Sequence, residues 1–247
     1  MRIIISPAKK MNVDTDFLPP KQLPRFLSEA QIIKDALQKL SFDELRLLYG
    51  ASEAITKLNH ERLQNMDLQQ AMTPAIFSYE GIQFQYMGVQ VFERDHFDHI
   101  DKHLHILSAM YGSLKPFDAV VPYRLEMQAK LAIEPYKDLY GFWGPKIANE
   151  LMEKGGPILD LASKEYSKVV TAGLPKGYPL VSCVFGEKIN GKIVEKGTLC
   201  KMARGAMVRF IAENRITKIE DIRSFNDLGH TFSKEDSDDK KYVFIKK

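Results

Sequence analysis

Apolar residues recur at helical spacing along residues 25–40, and this spacing predicts an amphipathic helix. Its apolar positions are Phe26, Ala30, Ile33, Leu37 and Leu40. Ser41 then precedes Glu44 by three residues, which is the capping-box pattern that begins another helix. Further helices are predicted at residues 95–103, 139–152 and 198–214, and from Ser163 onward.

Short apolar runs bounded by turn residues predict the strands. The N-terminal run at residues 2–5 reads as a first buried strand, and another short strand is predicted at 158–161. The clearest turn signal is Asn190-Gly191, which predicts a hairpin within residues 179–196. Strand-like residues also fill 76–92, and a charged loop at 233–241 precedes a last strand at 242–245.

The order of these elements indicates the fold class. Helices and strands interleave irregularly, without the regular alternation of a βαβ fold. A chain of 247 residues is long enough to bury a full core, and it contains no long linker or internal repeat. We therefore predict an α+β fold with a mixed sheet, as one compact domain over residues 1–247.

Composition says more about the cellular compartment of the protein than about what it binds or which reaction it catalyses. The chain contains no apolar run near 18 residues, so no membrane span is expected. Cys183 and Cys200 are too few for a disulfide framework, and the simplest expectation is a cytoplasmic protein. The net charge is only +3, but residues 188–218 hold eight basic residues against two acidic ones. That excess could attract phosphates, or it could be an ordinary solvated surface.

Residues 41–64 are predicted to form two short helices joined by a turn that contains glycine. Two short predicted helices flank Gly50, Ala51 and Ser52, an arrangement that resembles the DNA-binding helix-hairpin-helix motif. In that motif, backbone N–H groups of the hairpin and the positive end of the next helix hold a phosphate. Ser52 would cap the second helix. The alternative is a purely structural helical hairpin, since one glycine stands where the motif usually has two.

Four short motifs occur in order along the chain. They are Ser6-Pro7-Ala8-Lys9, Pro122-Tyr123-Arg124-Leu125-Glu126-Met127, Leu161-Ala162-Ser163-Lys164-Glu165-Tyr166 and Lys201-Met202-Ala203-Arg204-Gly205. Together, and at their spacing, they make the chain resemble the YaaA family of bacterial peroxide-stress proteins over nearly its whole length. The resemblance implies an α+β architecture with a positively charged cleft, and DNA binding by the hairpin and this cleft. It also implies a role in limiting oxidative damage to DNA and protein, linked to lower free intracellular iron.

The first two motifs supply candidate cleft residues. Lys9 follows a predicted buried strand, where side chains often line a cleft, and could bind a phosphate or act as a nucleophile. Arg124 and Glu126 lie two residues apart, so in an extended segment they point the same way. Arg124 could bind an anion that Glu126 orients, or the two could form a structural ion pair.

The third and fourth motifs add further charged side chains. Glu165 could be a general base, with Tyr166 as a donor, or it could only stabilise a helix start. Lys201, Arg204 and Arg209 are expected on one broad helix face that could contact a phosphate backbone. Gly205 on the same helix would allow another backbone to approach closely.

Residues 95–105 carry histidines and aspartates that could suggest a metal site. The histidines are His96, His99, His103 and His105. Because tetrahedral sites need fixed and oriented ligands, we interpret this stretch as a solvated helix face and expect no metal or other cofactor. Cys183 and Cys200 are interpreted as packing residues.

Three hypotheses follow. In the first, the protein binds DNA during peroxide stress through phosphate contacts with weak sequence preference, using Gly50, Ala51, Ser52, Lys9, Arg124, Lys201, Arg204 and Arg209. In the second, it is an enzyme acting on a small phosphorylated or nucleoside-like substrate, with Lys9, Arg124, Glu126 and Glu165 as candidate catalytic residues. The third, direct iron sequestration, would need a carboxylate and histidine cluster near residues 95–105.

Overall fold

A mixed β-sheet forms the centre of the computed structural model, which describes residues 1–246. The strands are β1 (Arg2–Ile5), β2 (Lys10–Met11), β3 (Thr73–Pro74), β4 (Tyr79–Glu80), β5 (Leu104–Ser108), β6 (Gly112–Leu114), β7 (Ala119–Val120), β8 (Ile158–Asp160), β9 (Leu180–Ile189), β10 (Lys192–Val194), β11 (His230–Asp238) and β12 (Lys241–Lys246). The helices are α1 (Leu27–Gln38), α2 (Phe42–Tyr49), α3 (Glu53–Gln64), α4 (Ala75–Ser78), α5 (Ile82–Met87), α6 (Arg94–His103), α7 (Leu139–Trp143), α8 (Lys146–Met152), α9 (Lys164–Thr171) and α10 (Gly197–Glu213). Short 3₁₀ turns lie at Val89–Val91 and Ile219–Ser224.

The main sheet has the strand order β11-β12-β9-β8-β1-β5-β6, and β10 pairs with β9 beside this path. Its five central strands, from β12 to β5, are parallel, whereas β6, β10 and β11 join antiparallel to their neighbours. The predicted α+β class with a mixed sheet is confirmed. Because β1 lies between β5 and β8, Ile3, Ile4 and Ile5 are fully buried, as a central parallel strand requires.

Local signals explain the helical hairpin of α2 and α3. The predicted capping box is present, since Ser41 Oγ accepts from Glu44 N–H and the Glu44 carboxylate accepts from Ser41 N–H. Gly50 ends α2 in the left-handed region at φ 52°, which glycine adopts without steric cost. Ser52 caps α3 by accepting from Ile55 N–H at 3.5 Å, as predicted. The two helices and the glycine turn are therefore where the sequence places them.

Two sequence predictions of secondary structure are wrong. Residues 76–92 are mostly helical rather than extended, with α4, α5 and a 3₁₀ turn around the two-residue strand β4. Their aromatic side chains pack into the core, as Tyr79 and Phe84 show, so their strand propensity is overridden by tertiary packing. Residues 233–241 are not a charged loop, because most of them lie in β11, which pairs with β12 across a register shift. Charged side chains and irregular pairing are typical of an edge strand.

Helix α10 carries basic residues on one side and packs closely against α5 on another. The contact lies at Gly205, where an added Cβ would be 2.1 Å from the Gln83 carbonyl oxygen and 2.9 Å from the Met87 nitrogen. The prediction that Gly205 permits close backbone approach is confirmed. None of the helices within residues 1–246 is long and apolar enough to cross a membrane.

Candidate functional site

A hollow of about 380 Å³ lies beyond the carboxyl ends of β1 and β8. We call it the motif pocket. It is lined by Ser6, Pro7, Ala8, Lys9, Lys10, Glu80, Gly81, Ile82, Gln83, Phe84, Tyr123, Arg124, Leu125, Glu126, Ser163, Glu165, Tyr166, Lys201 and Arg204. The connection after β1 leads to β5 on one side, whereas the connection after β8 leads to β9 on the other side, so the chain leaves these two neighbouring strands in opposite directions. Such a switch point is where parallel sheets most often bind ligands.

The loops after β1 and β8 are joined by their serines. Ser163 N–H donates to Ser6 Oγ at 2.8 Å, and Ser6 Oγ donates to Ser163 Oγ at 3.1 Å. Ser163 is also the N-cap residue of α9, so this contact fixes the start of the helix that carries Glu165. Two motifs that are 157 residues apart are thereby held at one point.

Glu126 joins two of the predicted cations. Its Oε1 lies 2.7 Å from Lys9 Nζ and 3.0 Å from Arg124 Nη2. Arg124 Nη1 also donates to the Lys9 carbonyl oxygen at 3.4 Å. The expected same-side orientation of Arg124 and Glu126 is thus present, and the pair is structural as well as part of the pocket wall. The Lys9 side chain is 66% exposed at the rim, unlike a buried nucleophile.

Glu165 is half-buried beside the segment that carries Glu126. Its Oε1 accepts from Gln128 N–H at 3.2 Å. Burial, followed by the charge of Glu126, raises the pKa of the Glu165 carboxyl above its ordinary value. Burial likewise raises the pKa of Tyr166 well above its usual range, so this phenol stays protonated. A carboxyl with a raised pKa beside cations is a possible proton acceptor or donor.

The basic residues of α10 do not all reach the motif pocket. Lys201 is exposed at the mouth, and Arg204 lies deeper, 13% exposed and 3.9 Å from Glu195 Oε2. Arg209 lies outside the pocket lining and instead pairs with Asp227 Oδ2 at 2.9 Å and with Glu213 at 3.9 Å. The structure therefore brings together two of these three cations.

Three buried donors of the motif pocket lack a partner among residues 1–246. They are Gln83 Nε2, Arg124 Nε and Arg204 Nε. Sequence reasoning missed Gln83, because its segment was predicted as strand and no motif marks it. The one signal that could have pointed to it is Gly205, since α5 approaches α10 at that glycine.

A second hollow, the hairpin groove, adjoins the motif pocket. It has a volume of about 680 Å³ and is lined by Lys9, Leu40, Glu44, Leu47, Leu48, Tyr49, Gly50, Glu126, Gln128, Ala129 and Lys130. Lys9 and Glu126 line both hollows. Of the predicted hairpin residues, Gly50 reaches the groove, Ala51 packs partly buried against the core, and Ser52 serves as a helix cap.

A buried hydroxyl network lies beneath the motif pocket. The Tyr123 hydroxyl is 2.7 Å from Ser108 Oγ and 2.9 Å from the Tyr79 hydroxyl. Ser108 Oγ also accepts from the backbone N–H groups of Met110 and Tyr111 at 3.2 and 2.9 Å. The network ties the end of β5 to the segment that carries Arg124 and Glu126.

Stability is expected to fall between pH 10 and about 12. Burial raises the pKa of Tyr123 from 10 to about 12. Above pH 10 the unfolded chain loses this proton while the folded chain keeps it, so ionisation favours the unfolded state. At 1.4 kcal/mol per pKa unit, this one phenol accounts for about 3 kcal/mol lost across the window. Urea unfolding at a series of pH values would check this, and a flat stability across the window would contradict it.

The histidines of residues 95–105 have structural roles. His99 Nε2 is 3.0 Å from the Ile216 carbonyl oxygen, and His103 Nδ1 is 2.9 Å from the Met1 carbonyl oxygen. The prediction of a solvated face is wrong for His99 and His105, which are buried against the core. Burial lowers the pKa of all three imidazoles.

Within residues 1–246, the one group of side chains close enough to share a metal ion lies at the start of α6. Glu93, Asp95 and His96 place donor atoms within 4.8 Å of one another on the partly exposed surface. Asp95 is also bound by Arg215. Cys183 and Cys200 are both buried and unbridged, and burial raises the pKa of both thiols, which fits packing roles.

Comparison with known proteins identifies the family. Residues 1–236 match the family model described as peroxide stress protein YaaA. The chain belongs to the YaaA family. A UPF0246 protein of Desulfitobacterium hafniense is 52% identical over 246 residues, covering 100% of this chain and 98% of the relative. UPF0246 proteins of Lachnoclostridium phytofermentans and Limosilactobacillus reuteri are 45% and 46% identical, covering 100% and 99% of this chain and 96% and 98% of the relatives.

The four motifs on which the YaaA resemblance rests meet in the motif pocket. Ser6 and Lys9 come from the first, Arg124 and Glu126 from the second, Ser163, Glu165 and Tyr166 from the third, and Lys201 and Arg204 from the fourth. The sequence alone left this convergence open. In this YaaA-family chain, the candidate residues of these four motifs therefore lie around one hollow.

Proposed function

We propose that this YaaA-family protein acts in the response to hydrogen peroxide by binding DNA, mainly through phosphate contacts with weak sequence preference. Binding would limit oxidative damage to DNA and protein, together with the lowering of free iron that the family resemblance implies. The observation that supports the DNA proposal is that the two hollows adjoin at Lys9, so that Gly50 of the hairpin and Lys201 at the mouth of the motif pocket lie along neighbouring hollows whose combined lining has a small excess of basic residues.

The charge of this surface supports contact with phosphates. The linings of the two hollows contain six basic residues and four acidic ones. Lys9, Lys130 and Lys201 are exposed, so their ammonium groups can reach a backbone that passes over the surface. A small positive excess and flexible lysines favour backbone contacts over base readout.

The hairpin would add a weaker contact. The N-terminus of α3 carries the positive end of a twelve-residue helix, which favours a phosphate. Glu53 in the first turn of α3 opposes this attraction. We therefore expect Lys9 and Lys201 to contribute more to DNA affinity than Gly50, Ala51 and Ser52.

The test is the salt dependence of duplex DNA affinity. Replacing both Lys9 and Lys201 by alanine should weaken binding and reduce the slope of log affinity against log salt by roughly two units, since each lost phosphate contact removes about 0.9. The matched control is the double replacement of Lys154 and Lys176, which are exposed and precede β8 and β9, at the opposite edge of the parallel strands. The proposal fails if wild type does not bind duplex, or if the control pair weakens binding equally.

A second candidate function is an enzyme acting on a small phosphorylated or nucleoside-like substrate. The observation that favours it is the position of Glu165, a carboxyl of raised pKa in the same hollow as Arg124, Arg204 and Lys201. Glu165→Gln keeps the side-chain shape and removes the proton acceptor. With a panel of nucleoside phosphates, turnover by wild type that disappears in this variant while binding persists would support the enzyme. Absence of turnover by wild type would reject it for that panel.

A further inference from the structure

We propose that the motif pocket binds the phosphate monoester of a nucleotide, with Gln83, Arg124 and Arg204 donating hydrogen bonds to it. The monoester could belong to a free nucleoside monophosphate or to the terminal phosphate of a DNA strand. This inference rests on the proposed function in one respect, because Lys9 and Lys201 also serve the DNA surface there.

The buried donors carry the argument. Among the described residues, five buried side-chain nitrogen or oxygen atoms have no hydrogen-bond partner, and three of these are donors that belong to residues lining the motif pocket. Gln83 is only 7% exposed. Buried donors are normally paired, so three unpaired donors around one hollow indicate a ligand rich in acceptor oxygens.

The other contacts of the arginines leave these nitrogens free. Arg124 uses its terminal nitrogens for Glu126 and the Lys9 carbonyl, which holds the guanidinium in place without occupying Nε. Arg204 has Glu195 at 3.9 Å, and its charge acts on the buried Asp160, outside the pocket lining. The Asp160 carboxylate already accepts hydrogen bonds from the Ser167 and Ser182 hydroxyls and from a backbone N–H.

The charge of the lining selects a monoester over a diester. Five basic residues face three acidic ones, and Lys10 is paired with Glu80 at 2.7 Å. The excess of two positive charges matches a phosphate monoester, which carries about −1.5 to −2 at pH 7. A phosphodiester carries one negative charge and would leave part of the excess unmatched.

The size and walls of the pocket indicate that more than phosphate enters. A volume of about 380 Å³ lies in the range of small-molecule sites, which is roughly 300–1,000 Å³. Phe84 and Tyr123 offer aromatic surface and Ile82 and Leu125 offer aliphatic surface to a base or sugar. Because Lys9 lines both hollows, a strand lying along the hairpin groove could place its terminal phosphate in the pocket.

The experiment compares ligands that differ only in the monoester. Calorimetry of the full chain with thymidine 5′-monophosphate and with thymidine tests the free nucleotide. A single-stranded oligonucleotide with a 5′-phosphate, compared with the same strand ending in a 5′-hydroxyl, tests the DNA end. In at least one pair, the phosphorylated ligand should bind about tenfold more tightly, as expected for charge-assisted hydrogen bonds.

Gln83→Met removes the buried donor with little change in side-chain length and should weaken the phosphorylated ligand about tenfold. Gln85→Met makes the same change on the exposed side of α5 and should leave affinity unchanged. Circular dichroism and the thermal midpoint establish that both variants are folded. Should Gln83→Met not fold, Arg124→Lys keeps the charge, removes Nε and should weaken the same ligand.

The outcomes separate the two proposals. A preference for the phosphorylated member in either pair supports the monoester site. The pair that shows the preference identifies whether the monoester belongs to a free nucleotide or to a DNA end. Equal binding of both members in both pairs, or equal effects of Gln83→Met and Gln85→Met, overturns it. Binding to duplex DNA with hydroxyl ends tests only the proposed function, so either proposal can fail while the other stands.

Discussion

Gly205→Ala is expected to destabilise the fold by about 3 kcal/mol or more, the upper part of the range for overpacking. The new methyl would be 2.1 Å from the Gln83 carbonyl oxygen and 2.9 Å from the Met87 nitrogen. Both are backbone atoms of α5, so no side-chain rotation can relieve the overlap, and α5 must move away from α10. Urea unfolding followed by circular dichroism would measure the loss.

Gly197→Ala is the matched control for this change. Gly197 is the first residue of the same helix, and an added Cβ there meets nothing within 4 Å. The control should be neutral or stabilising by up to about 1 kcal/mol, because alanine restricts the unfolded chain more than glycine does. Similar stabilities of the two variants would show that α5 and α10 do not depend on close approach at Gly205.

Gly205→Ala should also disturb the motif pocket. Gln83 is on α5, and Lys201 and Arg204 are on α10, so the spacing of the two helices sets the spacing of these side chains. We expect Gly205→Ala protein, measured below its unfolding midpoint, to lose the affinity for phosphorylated ligand that Gly197→Ala retains.

Tyr123→Phe is expected to cost about 1–3 kcal/mol, the range for leaving a buried polar group without its partner. The lost hydroxyl contacts both Ser108 Oγ, at 2.7 Å, and the Tyr79 hydroxyl, at 2.9 Å. Tyr79 and Ser108 are buried, so water does not readily replace the missing bonds. Urea unfolding at neutral pH measures the change.

Tyr136→Phe provides the comparison, since Tyr136 is 40% exposed and its hydroxyl loss should be nearly neutral. Tyr123→Phe should also show a shallower loss of stability between pH 10 and about 12, because it lacks the phenol whose pKa burial raises. Equal stabilities of the two variants, or an unchanged alkaline profile, would contradict the role of the network.

The sequence predictions are correct where a few neighbouring residues decide the structure, and wrong where contacts between distant parts of the chain decide it. Asn190 and Gly191 both have positive φ, as the hairpin dipeptide predicts, because that turn is decided by two residues. The capping box at Ser41 is equally local. The strand prediction for residues 76–92 is wrong because α5 is stabilised by packing against α10, which is more than 100 residues away in the chain.

The residues of the motif pocket show the same difference between local and long-range information. The motifs by themselves identify Lys9, Arg124, Glu126, Glu165 and Arg204 as candidate site residues. They do not identify Gln83, which becomes part of the pocket only when α5 contacts Gly205. Sequence periodicity also places Arg209 with Lys201 and Arg204, although Arg209 pairs with Asp227 instead.

By itself, the sequence determined the α+β class, the buried first strand β1, the helical hairpin around Gly50 and the family to which the chain belongs. These depend on hydrophobic periodicity, turn residues and short motifs, which act over a few positions. Only the tertiary structure decided that the four motifs share one pocket and that three of its buried donors lack partners. The reason is that loops following β1 and β8, 157 residues apart at Ser6 and Ser163, meet because parallel strands place their carboxyl ends at one sheet edge.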